Sequence, residues 1–216
     1  MQNPICVIVG AGPGIGLAVA KKFASEGFSV ALLARQQAKV DEMAVQVGEG
    51  AKGYATDAGD EESLRTALGK VKSEMGDPTV LVYNVSVMHT GLPSAAGIDM
   101  LIDDFRVNVC GAIIAAQYVL PAMRKAGQGT ILITGGGLAF DPYPHYSSLA
   151  LGKAALRNFT MSLAAEVEAM NIHAATVTVC GMVKEGTHFA PDLIAEVYWA
   201  LHNQPREAWE REVIYR

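Results

Sequence analysis

Four glycines stand in seven residues near the start of the chain, Gly10-Ala11-Gly12-Pro13-Gly14-Ile15-Gly16. They follow an apolar run, Ile5 to Val9, and precede a helical pattern that begins near Ile15. A glycine-lined turn between a strand and a helix is either simply a tight turn or, after the first strand of an alternating chain, a seat for a dinucleotide. Its first glycine permits the sharp turn, and the later ones let a pyrophosphate approach the backbone N–H groups at the helix N-terminus. The spacing is G-x-x-x-G-x-G on Gly10, Gly14 and Gly16, with Ile15 between the last two. The end of the next apolar run reads Leu33-Ala34-Arg35-Gln36. An acid there would bind a ribose 2′-hydroxyl. This chain offers none, and Arg35 suits a 2′-phosphate instead, so NADP(H) is favoured over NAD(H).

These residues need a scaffold, and the chain supplies an alternating one. Short β-rich runs at 5–9, 29–34, 53–56, 79–83, 130–134, 174–179 and 212–215 alternate with helical patterns at 15–26, 36–47, 61–75, 99–125, 147–170 and 191–203. Asp60 is placed to cap the helix that starts at Glu61. Gly135 to Pro144 reads as a loop. The alternation predicts one Rossmann-type α/β domain over residues 1–216, a doubly wound, mostly parallel seven-stranded sheet with helices on both faces.

Composition bounds the rest. Half of the 216 residues are apolar, 22 are glycine, and the net charge is −5, which argues against nucleic acid as a partner. No basic leader precedes the first apolar run and no 18 apolar residues run together, so neither a signal peptide nor a membrane span is expected. Cys6, Cys110 and Cys180 lie far apart in apolar stretches and read as buried, reduced thiols of a cytoplasmic protein. No metal-ligand spacing is seen, and no metal is expected.

Further along, several segments accumulate into a family likeness. Asp57 closes the third strand. Tyr83-Asn84-Val85-Ser86 follows the fourth, Asn108-Val109-Cys110-Gly111 lies in the long helix, and Lys153-Ala154-Ala155-Leu156 lies in the next. With the glycine turn they resemble the short-chain dehydrogenase/reductase family over nearly the whole chain. The resemblance implies an NADP(H)-binding oxidoreductase acting on a small carbonyl or alcohol of unknown identity. It implies that Gly10, Gly14, Ile15, Gly16, Arg35, Asp57, Asn84, Lys153, Gly181 and Val183 hold the cofactor, with Asn108 and Lys153 as catalytic residues. It also implies a homodimer or homotetramer built through the two long helices, for which Ala115, Ala116, Val119, Leu163 and Val167 offer apolar surface.

The family's remaining two catalytic parts are missing. Aligned on Lys153, the tyrosine position is Leu149 and the serine position is Gly136. Leucine has no proton to give and glycine no hydroxyl. Tyr146 or His145 is a displaced donor, or else packs in the loop, while Thr134 carries a hydroxyl but reads as strand core. His89 and His188 read as exposed loop residues. The turn after the sixth strand, Cys180-Gly181-Met182-Val183, lacks the family's proline, and only about ten residues separate it from the last helix. Two readings stay open: an oxidoreductase with a divergent site, or a non-catalytic NADP(H)-binding sensor or partner subunit.

Overall fold

The computed structural model describes residues 3–216. Seven strands form one sheet: β1 (Ile5–Val9), β2 (Ser29–Ala34), β3 (Ala51–Ala55), β4 (Val80–Tyr83), β5 (Gly129–Gly136), β6 (Ile172–Val179) and β7 (Glu212–Tyr215). Their order is β3-β2-β1-β4-β5-β6-β7, and every pair is parallel. The order reverses between β1 and β4, which opens a crevice at the carboxyl ends of those two strands. The helices are α1 (Ile15–Ser25), α2 (Gln37–Val47), α3 (Glu61–Glu74), α4 (Ile98–Phe105), α5 (Gly111–Ala126), α6 (Ser147–Val167) and α7 (Pro191–His202).

A parallel sheet covered on both faces needs apolar residues at every strand position, and β1, β4 and β6 are buried throughout. One core layer packs α3, α5 and α6 on the sheet, and the other packs α1, α2 and α7. Phe23, Phe28 and Trp199 meet edge to face in the second layer, with centroids 5.2–6.0 Å apart. The Asp60 carboxylate accepts from Ser63 N and caps α3 as expected.

Four expectations change. Gly135 and Gly136 belong to β5, paired with Thr178 and Val179, and not to a loop. A Cβ at Gly135 would stand 2.6 Å from the Thr178 hydroxyl, so glycine here serves close strand packing and marks no turn. The long helix is interrupted by a π-turn at Arg106–Cys110, which divides it into α4 and α5. Ala115, Ala116, Val119, Leu163 and Val167 lie in the core against the sheet, at most 4% exposed, and offer no surface to a second subunit. The apolar residues that do face outward on these helices are Ile98, Ile102 and Phe105 on α4 and Leu151 on α6. Finally, only Cys6 is buried, while Cys110 and Cys180 are half-buried. The helical stretch 98–126 is long and apolar enough to match a membrane span, but its inner face packs on the sheet and on α6.

Candidate active site

The crevice at the carboxyl edge of the sheet holds a cavity of about 1090 Å³. Five elements wall it: the glycine turn, the end of β4, the end of β5, α6, and the segment after β6. Among the predicted site residues, Gly14, Ile15, Gly16, Asn84, Gly136, Tyr146, Leu149, Lys153, Gly181 and Val183 line it. Gly10 sits behind the turn, and Arg35, Asp57 and Asn108 lie outside the lining. A second space of about 430 Å³ opens between α1 and α7 and is crossed by the Lys22–Glu196 ion pair.

The glycine turn is built from two constraints. Gly10 takes a φ of +90°, which L side chains rarely adopt, and its N–H and that of Ala11 both donate to the Leu33 carbonyl. Gly16 lets the first turn of α1 sit on the strand end, because a Cβ there would stand 2.9 Å from the Gly10 carbonyl oxygen. Gly12 and Gly14, by contrast, face open space. The α1 N-cap, Gly14, offers no side-chain hydrogen bond, and Leu17 N already donates to the Gly12 carbonyl, so the Ile15 and Gly16 N–H groups are the ones left for a ligand. This bed fits a dinucleotide pyrophosphate.

Around it stand three of the predicted residues. Arg35 is exposed at the end of β2 and makes no ion pair or hydrogen bond among the described residues. Asp57 is exposed beyond β3, its carboxylate accepting from Gly59 N at 2.8 Å. Asn84 donates through Nδ2 to the Gly10 carbonyl at 3.0 Å and accepts at Oδ1 from the Thr134 hydroxyl at 2.8 Å.

Lys153 projects from α6 and is 6% exposed. Its Nζ donates to the Thr134 carbonyl at 2.7 Å, and burial pulls its pKa down to about 8. Two ammonium protons remain without a partner among the described residues. Leu149, one turn earlier on α6, is half-buried and lines the same cavity. The strand end at Gly136 runs beside the lysine stem, where an added Cβ would lie 3.4 Å from Lys153 Cγ.

Asn108 sits in the π-turn and is 1% exposed. Both ends of its amide are engaged with Val87: Nδ2 donates to the Val87 carbonyl at 2.9 Å, and Oδ1 accepts from Val87 N at 2.8 Å. It therefore holds the loop after β4. Tyr146 is the N-cap residue of α6, half-buried at the cavity edge, in a backbone bridge with Gly91 and 5.6 Å from the Tyr143 ring. His145 is exposed in the same loop.

Several residues were not legible as a set. Asp104 on α4 is 2% exposed, accepts from the Ser148 hydroxyl, and lies 2.7 Å from His89 Nδ1. His89 is exposed as expected, but it is tied down, and with Asn108 it anchors the loop that brings Met88 to the cavity. The short segment after β6 is likewise pinned to β7. The His188 ring stacks on Tyr215 at 4.6 Å, the Tyr215 hydroxyl donates to the His188 carbonyl, and Phe189 lines the cavity.

A model of the short chain dehydrogenase family matches residues 4–195. An oxidoreductase of Sarocladium schorii, asL5, is 31% identical over 200 residues, covering 91% of this chain and 78% of that protein. The 3-oxoacyl-[acyl-carrier-protein] reductase FabG of Haemophilus influenzae is 27% identical over 172 residues, 80% of this chain and 71% of the relative. A short chain dehydrogenase of Pseudocercospora fijiensis is 29% identical over 177 residues, 80% of this chain but 57% of the longer relative. Among solved structures, a metagenomic short-chain oxidoreductase in complex with NADP superposes with a TM-score of 0.90 at 25% identity, covering 99% of this chain and 96% of that one. L-Sorbose reductase from Gluconobacter frateurii, complexed with NADPH and L-sorbose, shares the fold with a TM-score of 0.90 at 23% identity, over 98% and 94% of the two chains.

Proposed function

The chain belongs to the short-chain dehydrogenase family, and from that membership we propose that it binds NADP(H) and acts as an oxidoreductase on a small carbonyl or alcohol through a site lacking the family's tyrosine and serine hydroxyls. One observation carries this reading. The buried ammonium of Lys153 keeps two unmet donors beside a cavity whose adjoining positions are the apolar Leu149 and the side-chain-free Gly136.

The chain's residues divide the work as follows. The open N–H groups at the start of α1 hold the pyrophosphate. Arg35, without a partner among the described residues, pairs with a 2′-phosphate, which favours NADP(H) over NAD(H). Lys153 donates to ribose hydroxyls, and the backbone at Gly181 and Val183 faces the nicotinamide end. A bound nicotinamide supplies hydride chemistry. Asn108 positions the loop after β4. Tyr146, which lines the cavity at the start of α6, is the replacement proton donor.

The missing hydroxyls favour a second reading, a sensor or partner subunit that binds NADP(H) without turnover. Fluorescence titration with NADPH and NADH, beside NADPH consumption over a carbonyl panel, separates the two. Tight binding with turnover that Tyr146→Phe abolishes supports the enzyme; tight binding without turnover supports the sensor. Absence of binding to either nucleotide sinks both. The double variant Leu149→Tyr with Gly136→Ser should gain at least about 10²-fold in carbonyl reduction, the lower end of a general acid's contribution. The strand end has room for the added serine Cβ.

Self-association is assigned to the outward apolar row Ile98, Ile102 and Phe105 with Leu151. The three unpaired thiols support a cytoplasmic setting.

A further inference from the structure

We propose that Thr134, anchored by Tyr198, is the positioning residue that fixes the shape of the glycine turn and joins it to Lys153. The inference rests on the NADP(H)-binding reading above and concerns residues which that reading leaves without a role.

Tyr198 lies on α7, is 0% exposed, and its hydroxyl stands 2.6 Å from Thr134 Oγ1. Thr134 Oγ1 in turn stands 2.8 Å from Asn84 Oδ1, and Asn84 Nδ2 stands 3.0 Å from the Gly10 carbonyl oxygen. The polarity of this chain is forced. A carbonyl only accepts, so the Asn84 amide must turn its NH₂ toward Gly10. That leaves Oδ1 facing Thr134, and Oδ1 also only accepts. The single hydroxyl proton of Thr134 is thereby committed to Asn84, and Tyr198 must be the donor to Thr134. The direction of every bond in the row is thus set from the Gly10 carbonyl outward.

The row ends where cofactor geometry is set. Gly16, in the first turn of α1, packs against both the Gly10 carbonyl and Asn84 Nδ2. A change in the amide of Asn84 therefore moves the seat of the α1 N-terminus. The same Thr134 uses its backbone carbonyl to hold Lys153 Nζ at 2.7 Å. One residue thus fixes both the anion-binding turn and the buried ammonium, at the two ends of one cavity. Burial is complete enough to give the row force: Thr134 is 7% exposed, and burial drives the Tyr198 hydroxyl pKa upward, so it stays a proton donor.

The test is a set of conservative variants read by NADPH affinity. Thr134→Val removes the hydroxyl at nearly constant volume and leaves Asn84 Oδ1 and the Tyr198 hydroxyl unmet. It should weaken NADPH binding by about ten-fold, the size of one buried hydrogen bond. Thr134→Ser keeps the hydroxyl and should stay within about two-fold of the parent. Tyr198→Phe should weaken binding by about three-fold, because Thr134 still donates to Asn84. Thr160→Val is the control: Thr160 is 0% exposed and donates to the Leu156 carbonyl, remote from this row, so it loses an equally buried hydroxyl and should leave affinity unchanged. Hydrogen exchange of the backbone amides at 10–16 in the ligand-free protein gives a second readout, faster in Thr134→Val than in Thr160→Val. Equal affinities in Thr134→Val and the parent, or no rescue by serine, would overturn the proposal. If the parent binds neither nucleotide, the cofactor reading fails, and the exchange experiment alone decides the role of Thr134.

Discussion

Lys153 and Arg157 stand one turn apart on α6 and are treated in opposite ways. Arg157 is bidentate on Glu212, with Nε 2.9 and 3.0 Å from the two carboxylate oxygens and Nη2 at 2.7 Å. The Thr178 hydroxyl adds a fourth bond to Glu212, and the guanidinium lies 4.8 Å from the centre of the Phe140 ring. Lys153 has one carbonyl oxygen and no counter-charge among the described residues. A cation paired bidentately with its own carboxylate holds structure together. A buried cation with spare donors is kept at a cost to folding, and that cost marks it as serving a ligand.

The sharpest way to break this contrast is Lys153→Met. The ammonium pKa falls from 10.5 in an unfolded chain to about 8 in the fold. Between those values the unfolded chain holds more protons, so the penalty from this group is at its full value below about pH 8 and is relieved as pH rises to 10.5. The difference is worth about 3 kcal/mol at most, reduced by the lost bond to Thr134. Lys153→Met should therefore raise the melting temperature of the ligand-free protein at pH 7 and flatten its rise toward pH 10. NADPH affinity should fall by about 10- to 100-fold, the range for a bond to a charged group. A lower melting temperature together with unchanged affinity would make Lys153 an ordinary structural residue.

Arg157→Met should show the converse. It strands a carboxylate whose side chain is 10% exposed, at a cost of about 2 kcal/mol, discounted because the guanidinium itself is 39% exposed. Cofactor affinity should change by less than about two-fold. The acid side carries a signature. Burial alone would raise the Glu212 pKa, but the bonds from Arg157 and Thr178 and the guanidinium charge outweigh it and hold it below 4.5. Its stabilisation is present above about pH 4.5 and is lost as pH falls through the folded value. Melting curves from pH 5 to 3 should be steeper in the parent than in Arg157→Met.

Much of this was legible in sequence because it is periodic or local. The glycine turn, the alternation of strands and helices, Lys153 with Leu149 one turn before it, and the Asp60 cap are all set by short spacings. What was not legible joins distant segments. Thr134 and Tyr198 lie 64 positions apart, and only the packing of α7 over β5 brings their hydroxyls together. Asp104, His89 and Ser148 meet for the same reason. Ala115, Ala116 and Val119 misled because small apolar residues on a helix suit a subunit interface and a sheet contact equally. Gly135 misled because glycine signals a turn and a close strand contact with the same letter.

A buried histidine with an unmet ring nitrogen tests how far the argument from unmet polar groups reaches. His173 on β6 is 3% exposed, stacks on Trp209 at 4.8 Å, and donates through Nε2 to the Glu210 carbonyl at 2.8 Å. Its Nδ1 is buried without a hydrogen-bond partner among the described residues. His202, 2.9 Å from the Thr130 hydroxyl, lies among Phe23, Phe28 and Trp199. Burial lowers both pKa values below 6.5, against the pull of the Glu210 and Leu201 carbonyls and of Glu210 and Glu168 on His173. The unfolded chain then binds more protons below about pH 6.5, so the contribution of these two groups should be full above that value and decline as pH falls below it. His173→Asn should reduce the decline without touching NADPH affinity. Neither histidine lines the cavity, so a loss of affinity in His173→Asn would break the distinction drawn from α6. With affinity unchanged, the distinction sharpens: an unmet buried base marks a ligand site only where it also borders a space that a ligand can enter.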